Sequence, residues 1–266
     1  MVAIAVKIAK LLAGTLLVIA AGSVLVRLVR PPVTSAGSNS PTPSPSIVVD
    51  SPSPSPSVVP ACAQPTLIGT VDQARVSARK SADPKAKVVA SFGRINADGA
   101  PQVFDLQAAT AGSDGKRWYR ALLPVRPNGT TGYLPATALR VTNTQYRIRV
   151  DRPHLNLTLF KGCDQVKRFP IGLGKESTPT PDGRYYIIAL LKPPIRNSVY
   201  GEYAYGLSAF SDVLKNWTGG GIIGIHGTND PSSIGDRKSH GCIRMYNKDI
   251  RQLVPILPLG TPVDIV

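Results

Sequence analysis

The sequence predicts a mainly β protein with one short helix, carried behind an apolar N-terminal segment and a spacer. Pro (25) and Gly (24) are abundant among the 266 residues, which favours turns and β structure over long helices. Leu155, Leu157 and Leu159 alternate with Asn156 and Thr158, the period of a half-buried strand. Hairpin-type pairs, Asp114-Gly115 and Asn128-Gly129, separate short β-type runs. The length suffices for one large domain or two modest ones with a real core.

Met1 to Arg30 carries Lys7 and Lys10, an apolar run from Leu11 to Val26, then Arg27 and Arg30. With Ile4 to Ala9 the stretch approaches the length of a membrane span. Ala20, Ala21 and Gly22 offer only a weak cleavage site, so residues 1–30 read as an uncleaved single-pass anchor in the cell membrane with the C-terminal bulk outside. A cleaved signal and secretion to the wall stay open. Residues 31–61 are rich in Pro, Ser and Thr, including Ser51-Pro52-Ser53-Pro54-Ser55-Pro56. Such a segment buries no core and acts as a semi-rigid, extended linker.

Lys and Arg outnumber Asp and Glu 31 to 16, a formal net charge of +15. That excess suits an anionic partner: nucleic acid, acidic lipid, or a wall rich in carboxylates and phosphates. The basic residues are scattered and no nucleic-acid motif accompanies them, which argues against nucleic acid.

Residues 62–142 contain β-type runs at Val88-Val89-Ala90, Trp118 to Leu122 and Thr131 to Leu134, broken by turns at 96–99, 113–115 and 128–129. Arg75-Val76-Ser77-Ala78-Arg79, the central Trp118-Tyr119 and the closing Gly132-Tyr133-Leu134-Pro135 resemble, in this order, bacterial SH3-like domains. That resemblance implies a small β-barrel. The Asn and Gly usual in its opening motif are absent, so a β-rich spacer stands beside a wall-binding module.

Residues 145–266 give the stronger strand signal. Lys161-Gly162 turns the chain towards a strand over 166–171; Tyr185 to Leu191 and Gly221 to Ile225 read as further strands. The last of these is nearly all apolar and is expected to be central. Asn247 is expected to be an N-cap, with Ile250, Leu253 and Val254 on one helical face and Pro255 ending the helix. A final strand covers Thr261 to Val266.

Two of the three histidines lie beside a cysteine, in Ile225-His226-Gly227-Thr228 and Ser239-His240-Gly241-Cys242-Ile243-Arg244. A nucleophilic cysteine needs a base that takes its proton and later protonates the leaving group. His226 precedes Cys242 at a separation that only a folded loop can close. Gly241 lets the backbone approach a bound carbonyl, so nearby amides can form an oxyanion hole.

These segments resemble the signature of the L,D-transpeptidase (YkuD-like) catalytic domain: His-Gly, a loop, then Ser-His-Gly-Cys-hydrophobic-Arg. Thr178-Pro179-Thr180-Pro181-Asp182-Gly183 is similar to the family's strand entry, and Asn247 and Asp249 sit where the family places them. The resemblance covers Gln145 to Val266 and implies a β-sandwich or barrel with one short helix. It further implies a peptidoglycan enzyme that cleaves the bond before D-Ala at stem position four and forms 3→3 cross-links. By position, Cys242 is then the nucleophile and His226 the base, oriented by the Gly227 carbonyl. His240 lies in the substrate cleft, Arg244 holds a carboxylate or orients the cysteine loop, and Ser239 and Gly241 belong to the binding and oxyanion region. No cofactor is implied, and carbapenem β-lactams are the implied inhibitors.

Other readings stand beside this one. A non-catalytic wall-binding protein would have two β units and a decayed site, whereas His226, His240, Cys242 and Arg244 are all intact. An L,D-carboxypeptidase would hydrolyse the same bond. A zinc site from His226, His240 and Cys242, with Asp230 or Asp236, lacks a paired cysteine or a His-x-x-x-His pattern. His154 reads as an ordinary surface residue. Cys62 and Cys163 are the leftover cysteines; an exported location permits them to join, and nothing in the sequence brings them close.

Overall fold

The structure is a computed structural model that describes residues 61–195, 197–216 and 220–266. The expected anchor over 1–30, and the expected linker up to residue 60, lie outside the described residues. Among the described residues no helix is long and apolar enough to cross a membrane. The fold is mainly β with one α-helix among these residues, as the composition and the alternating leucines predict.

The first sheet holds β1 (Thr66–Val71), β2 (Arg75–Arg79), β3 (Val88–Gly93), β4 (Val103–Ala111), β5 (Arg117–Leu122), β6 (Thr131–Pro135) and β7 (Leu139–Thr144), in the order β3-β2-β6-β5-β4-β1-β7. Its core gathers Val76, Phe104, Tyr119, Leu123 and Leu134. The Asp114-Gly115 turn forms where expected: Gly115 takes φ +71° and buried Trp118 donates its indole N–H to Asp114 Oδ1 at 3.0 Å. Asn128-Gly129 also lies in a hairpin, in the connection between the antiparallel β5 and β6, and the Asn128 side chain reaches across to Phe210 of the second sheet.

The second sheet holds β8 (Tyr146–Asp151), β9 (Asn156–Lys161), β10 (Asp164–Pro170), β12 (Gly183–Leu191), β13 (Ala204–Phe210), β14 (Ile222–His226), β16 (Ile243–Arg244) and β17 (Pro262–Ile265). Their order is β10-β9-β8-β17-β12-β13-β14-β16, while β11 (Leu173–Gly174) pairs with β15 (Arg237–Ser239). Pairing is parallel for β8–β17 and β14–β16. Ile148, Leu157, Leu159, Tyr205, Leu207 and Ile225 belong to the core.

Three expectations need correction. β9 is covered on both faces, since Asn156 and Thr158 are buried as well as Leu157 and Leu159. Of its polar positions, Thr158 faces Arg149 on β8 and Arg168 on β10, and Asn156 faces Asp151 and Pro170. β14 is interior but second from the edge, since the short β16 lies outside it. The helix α1 (Asn247–Leu253) is capped at Tyr246; Asn247 is its first residue, because its amide is engaged elsewhere.

The two sheets meet in a shared cluster: Ile68, Val103 and Leu122 of the first against Tyr186, Ile188 and Ala189 of the second. Tyr186 donates its hydroxyl to the Leu122 carbonyl at 3.2 Å, and Asn96 donates to the Ile188 carbonyl at 2.9 Å. Cys62 and Cys163 are joined by a disulfide. Fully buried Asp105 on β4 accepts from Arg184 Nε on β12 at 2.9 Å, while its other oxygen is unpartnered. Burial pushes the Asp105 carboxyl up, against the pull of Arg184.

Removing one partner of such a pair strands the other. Arg184→Met should destabilise the chain at pH 7 by about 3 kcal/mol, the lower end for a broken buried pair because Arg184 remains 44% exposed. Without the guanidinium the Asp105 pKa rises further, so the native state holds a proton that the unfolded chain has released. The loss therefore shrinks at pH 5. Equal losses at both pH values in urea unfolding would mean that the carboxylate is solvated.

Candidate active site

Strand period and register bring the thiol and the imidazole together. β14 and β16 pair in parallel with Ile225 opposite Ile243 and His226 opposite Arg244. Cys242, one residue ahead of β16, therefore lies beside Gly224. Gly224 and His226, two apart on one strand, share a face. The Gly224 N–H donates to Cys242 Sγ at 3.4 Å. A Cβ on Gly224 would stand in ordinary contact with both groups, 3.9 Å from His226 Cδ2 and 4.0 Å from Cys242 Sγ, so both side chains border this glycine.

His226 is buried, and its Nδ1 contacts the Gly227 carbonyl at 2.5 Å. A carbonyl only accepts, so Nδ1 carries the proton and Nε2 keeps a lone pair. Burial pushes the His226 pKa down to about 4; the Gly227 contact pulls it up and the Arg244 charge pushes it further down. Burial also pushes the Cys242 thiol up, opposed by the Gly224 N–H and by Arg244. The resting pair at neutral pH is thus a thiol beside a neutral imidazole.

A cleft of about 860 Å³ opens above this pair. Ser239, His240, Cys242 and Arg244 line it together with His226, while Pro193, Ile195, Val199, Tyr200, Leu214 and Ile223 make its walls largely apolar. The Tyr200 ring stands edge-on to the His226 ring at 5.1 Å. Arg244 Nη1 lies 3.7 Å from Asp230 Oδ2, and its Nε is buried without a partner.

The cysteine loop is braced by hydroxyls. Ser239 Oγ donates to the Cys242 carbonyl at 2.6 Å and accepts the Gly241 N–H at 3.1 Å. The Gly241 amide is thereby engaged within the loop. Thr180 Oγ1 donates to the Gly241 carbonyl at 2.8 Å and accepts the Gly174 N–H at 3.0 Å. Gly241 itself sits at φ +116°, a backbone conformation that a side chain disfavours. Across the site, Asn247 Oδ1 accepts the Thr228 N–H at 3.1 Å while its Nδ2 donates to the Thr228 carbonyl at 3.0 Å, which fixes the chain leaving His226.

The structure thus brings together Cys242, His226, Gly227, Ser239, His240, Gly241 and Arg244. Sequence reasoning does not single out Gly224, Thr180 or Tyr200. Thr180 lies within the strand-entry motif, whereas nothing local marks Gly224 or Tyr200. His154 is exposed and bonded to Asp151. The carboxylates considered for zinc are paired with Arg244 and with Lys238. No group of three or more His, Cys, Asp or Glu is arranged to hold a metal ion among the described residues.

Residues 145–265 match the L,D-transpeptidase catalytic domain (YkuD). The chain is 36% identical to the YkuD protein of Bacillus licheniformis over 58% of its own length and 89% of the relative's. With the YkuD protein of Bacillus subtilis it shares 41% identity over 45% of its own length and 65% of the relative's. Among solved structures, Bd1075 of Bdellovibrio bacteriovorus is 30% identical over 46% of this chain and 48% of that one, with a TM-score of 0.38. The chain belongs to the L,D-transpeptidase (YkuD) family.

The depressed His226 pKa makes a stability prediction. Between about pH 4 and 6.5 the unfolded imidazole is protonated and the folded one is not. His226 therefore contributes stability that is complete above pH 6.5 and lost as pH falls towards 4, about 3 kcal/mol in all. Wild type should lose stability to urea faster than His226→Gln on acidification from pH 7 to 4.5. Parallel losses would mean that the imidazole is open to water.

Proposed function

We propose that the chain is a peptidoglycan L,D-transpeptidase that works through a Cys242 acyl-enzyme. The observation that supports this best is the placement of thiol and imidazole on either side of Gly224 at the cleft floor. Sγ attacks the carbonyl of the third stem residue, which is bonded to D-Ala at position four, as its proton passes to His226 Nε2. The Cys242 amide is the candidate donor to the developing oxyanion, since the Gly241 amide is engaged by Ser239. Collapse breaks the C–N bond, the imidazolium gives its proton to the departing amine, and a thioester remains. An amine of a second stem then attacks the thioester, its proton passes to His226, and the sulfur leaves and takes that proton back, giving a 3→3 cross-link and the resting thiol.

Arg244 and His240 line the cleft and are assigned to holding a stem carboxylate and to positioning. Arg244 also lowers the thiol pKa and so favours thiolate as it forms. The catalytic domain is assigned to residues 145–266. The first sheet, over 62–142, is assigned as an SH3-like module, on the order of its Arg75–Arg79, Trp118-Tyr119 and Gly132–Pro135 segments. An anchor at 1–30 and a linker at 31–61 would hold both outside the cytoplasm, within reach of the wall.

Incubation of the full chain with disaccharide-tetrapeptides should yield a dimer that has lost one D-Ala, read by mass. Cys242→Ala should remove essentially all turnover, and His226→Ala should slow acylation by about 10²–10⁴-fold, the usual worth of a catalytic base. Tripeptide alone would mean hydrolysis, and unchanged substrate would favour a binding protein.

A carbapenem tests the nucleophile separately. Its strained carbonyl should acylate Cys242, adding one drug mass that peptide mapping places on that residue and that Cys242→Ala lacks. Unmodified protein after long incubation would count against the covalent mechanism.

A further inference from the structure

One wall of the cleft is the segment that joins β13 to β14, with Ser211, Leu214 and Gly221 facing the cavity. Its neck is closed from within by the Ser211 N–H to the Gly221 carbonyl at 2.7 Å. Ser211 Oγ accepts the Leu214 N–H at 3.0 Å and so turns the chain.

The neck is also held from the first sheet, by the connection between β5 and β6. Arg126 Nη1 donates to the Ser211 carbonyl at 2.7 Å and Nη2 to the Gly220 carbonyl at 3.0 Å. One planar guanidinium thus spans both ends of the segment, and its covalent geometry sets their separation. The same guanidinium lies over the Phe210 ring, 4.8 Å from its centroid. Asn128 accepts the Phe210 N–H at 2.9 Å and donates to the Phe210 carbonyl at 2.7 Å, satisfying both backbone groups as a further strand would. A Cβ on Gly221 would come within 2.2 Å of the Leu214 carbonyl oxygen and 3.0 Å of Arg126 Nη2, so only glycine fits at this point of the neck.

We propose that Arg126 and Asn128 are positioning residues for the donor peptide. By clamping the two ends of the 211–221 segment they fix one wall of the cleft, and the first sheet becomes part of substrate selection. This rests on the peptidoglycan reading of the site. Neither residue itself lines the cleft that holds the thiol, so their effect belongs in donor binding and leaves the intrinsic reactivity of Cys242 alone.

The test uses the full chain with Arg126→Ala, Arg126→Lys and Asn128→Ala. In both alanine variants KM for the disaccharide-tetrapeptide should rise about tenfold while kcat stays within about threefold, the mark of lost uniform binding. Alkylation of Cys242 by iodoacetamide, which needs no wall, should stay within about twofold of wild type. Arg126→Lys keeps the charge but not the fork, and should show most of the same KM rise. Hydrogen exchange at the Ser211 and Leu214 amides should accelerate about tenfold or more as the neck loosens. An active wild type with unchanged KM in the variants would overturn the assignment, even if exchange quickens. Alkylation and kcat falling together with melting temperature would overturn it too, since that is general loss of structure. An inactive wild type would sink the peptidoglycan reading first, and this proposal with it.

Discussion

The parallel register of β14 and β16 is the constraint on which the site depends. A strand repeats its faces every two residues, and lateral neighbours in a sheet share a face. Once Ile225 lies opposite Ile243, the residue ahead of β16 must stand beside Gly224 and on the side of the sheet that His226 occupies. Slipping by one residue would send the imidazole and the thiol to opposite faces. Much of the surrounding bonding opposes that slip: Thr180 and Ser239 hold the cysteine loop, and Asn247 holds the chain beyond the histidine.

Burial sets the electrical character of the pair. Both groups lose their charged forms to desolvation, so the folded site stores an uncharged thiol and an uncharged base. Arg244 tilts the balance: its charge disfavours imidazolium and favours thiolate.

The contiguous parts of this arrangement were legible in sequence. Ser239 to Arg244 is a single run, His226 ends an apolar stretch, and the leucines of β9 announce their strand by period. Parts that depend on side chains bonding to distant backbone were not. Thr180 braces Gly241 from 61 positions away, and Arg126 grips Gly220 from 94; neither contact leaves a trace in periodicity or composition. Asn247 misled because its amide suits an N-cap equally well, and only the folded chain shows that the Thr228 backbone has claimed it. The apolar run of β14 suggested a central strand, whereas a two-residue neighbour is enough to cover its outer edge. Asn128-Gly129 has hairpin chemistry, yet its asparagine is used to bond Phe210.

The Cys62–Cys163 bond joins the chain just ahead of β1 to the turn between β9 and β10, at the edge of the second sheet. Any pull exerted on residues before Cys62 is therefore divided. Part enters β1, and part crosses the sulfurs directly to the outer edge of the second sheet, far along the strand order from β14 and β16. Force arriving ahead of Cys62 would reach the far margin of the second sheet through the sulfurs without first crossing the strand pair that aligns the thiol. In mechanical terms the disulfide works as a strain relief, of the kind that keeps tension on a cable from reaching its solder joint.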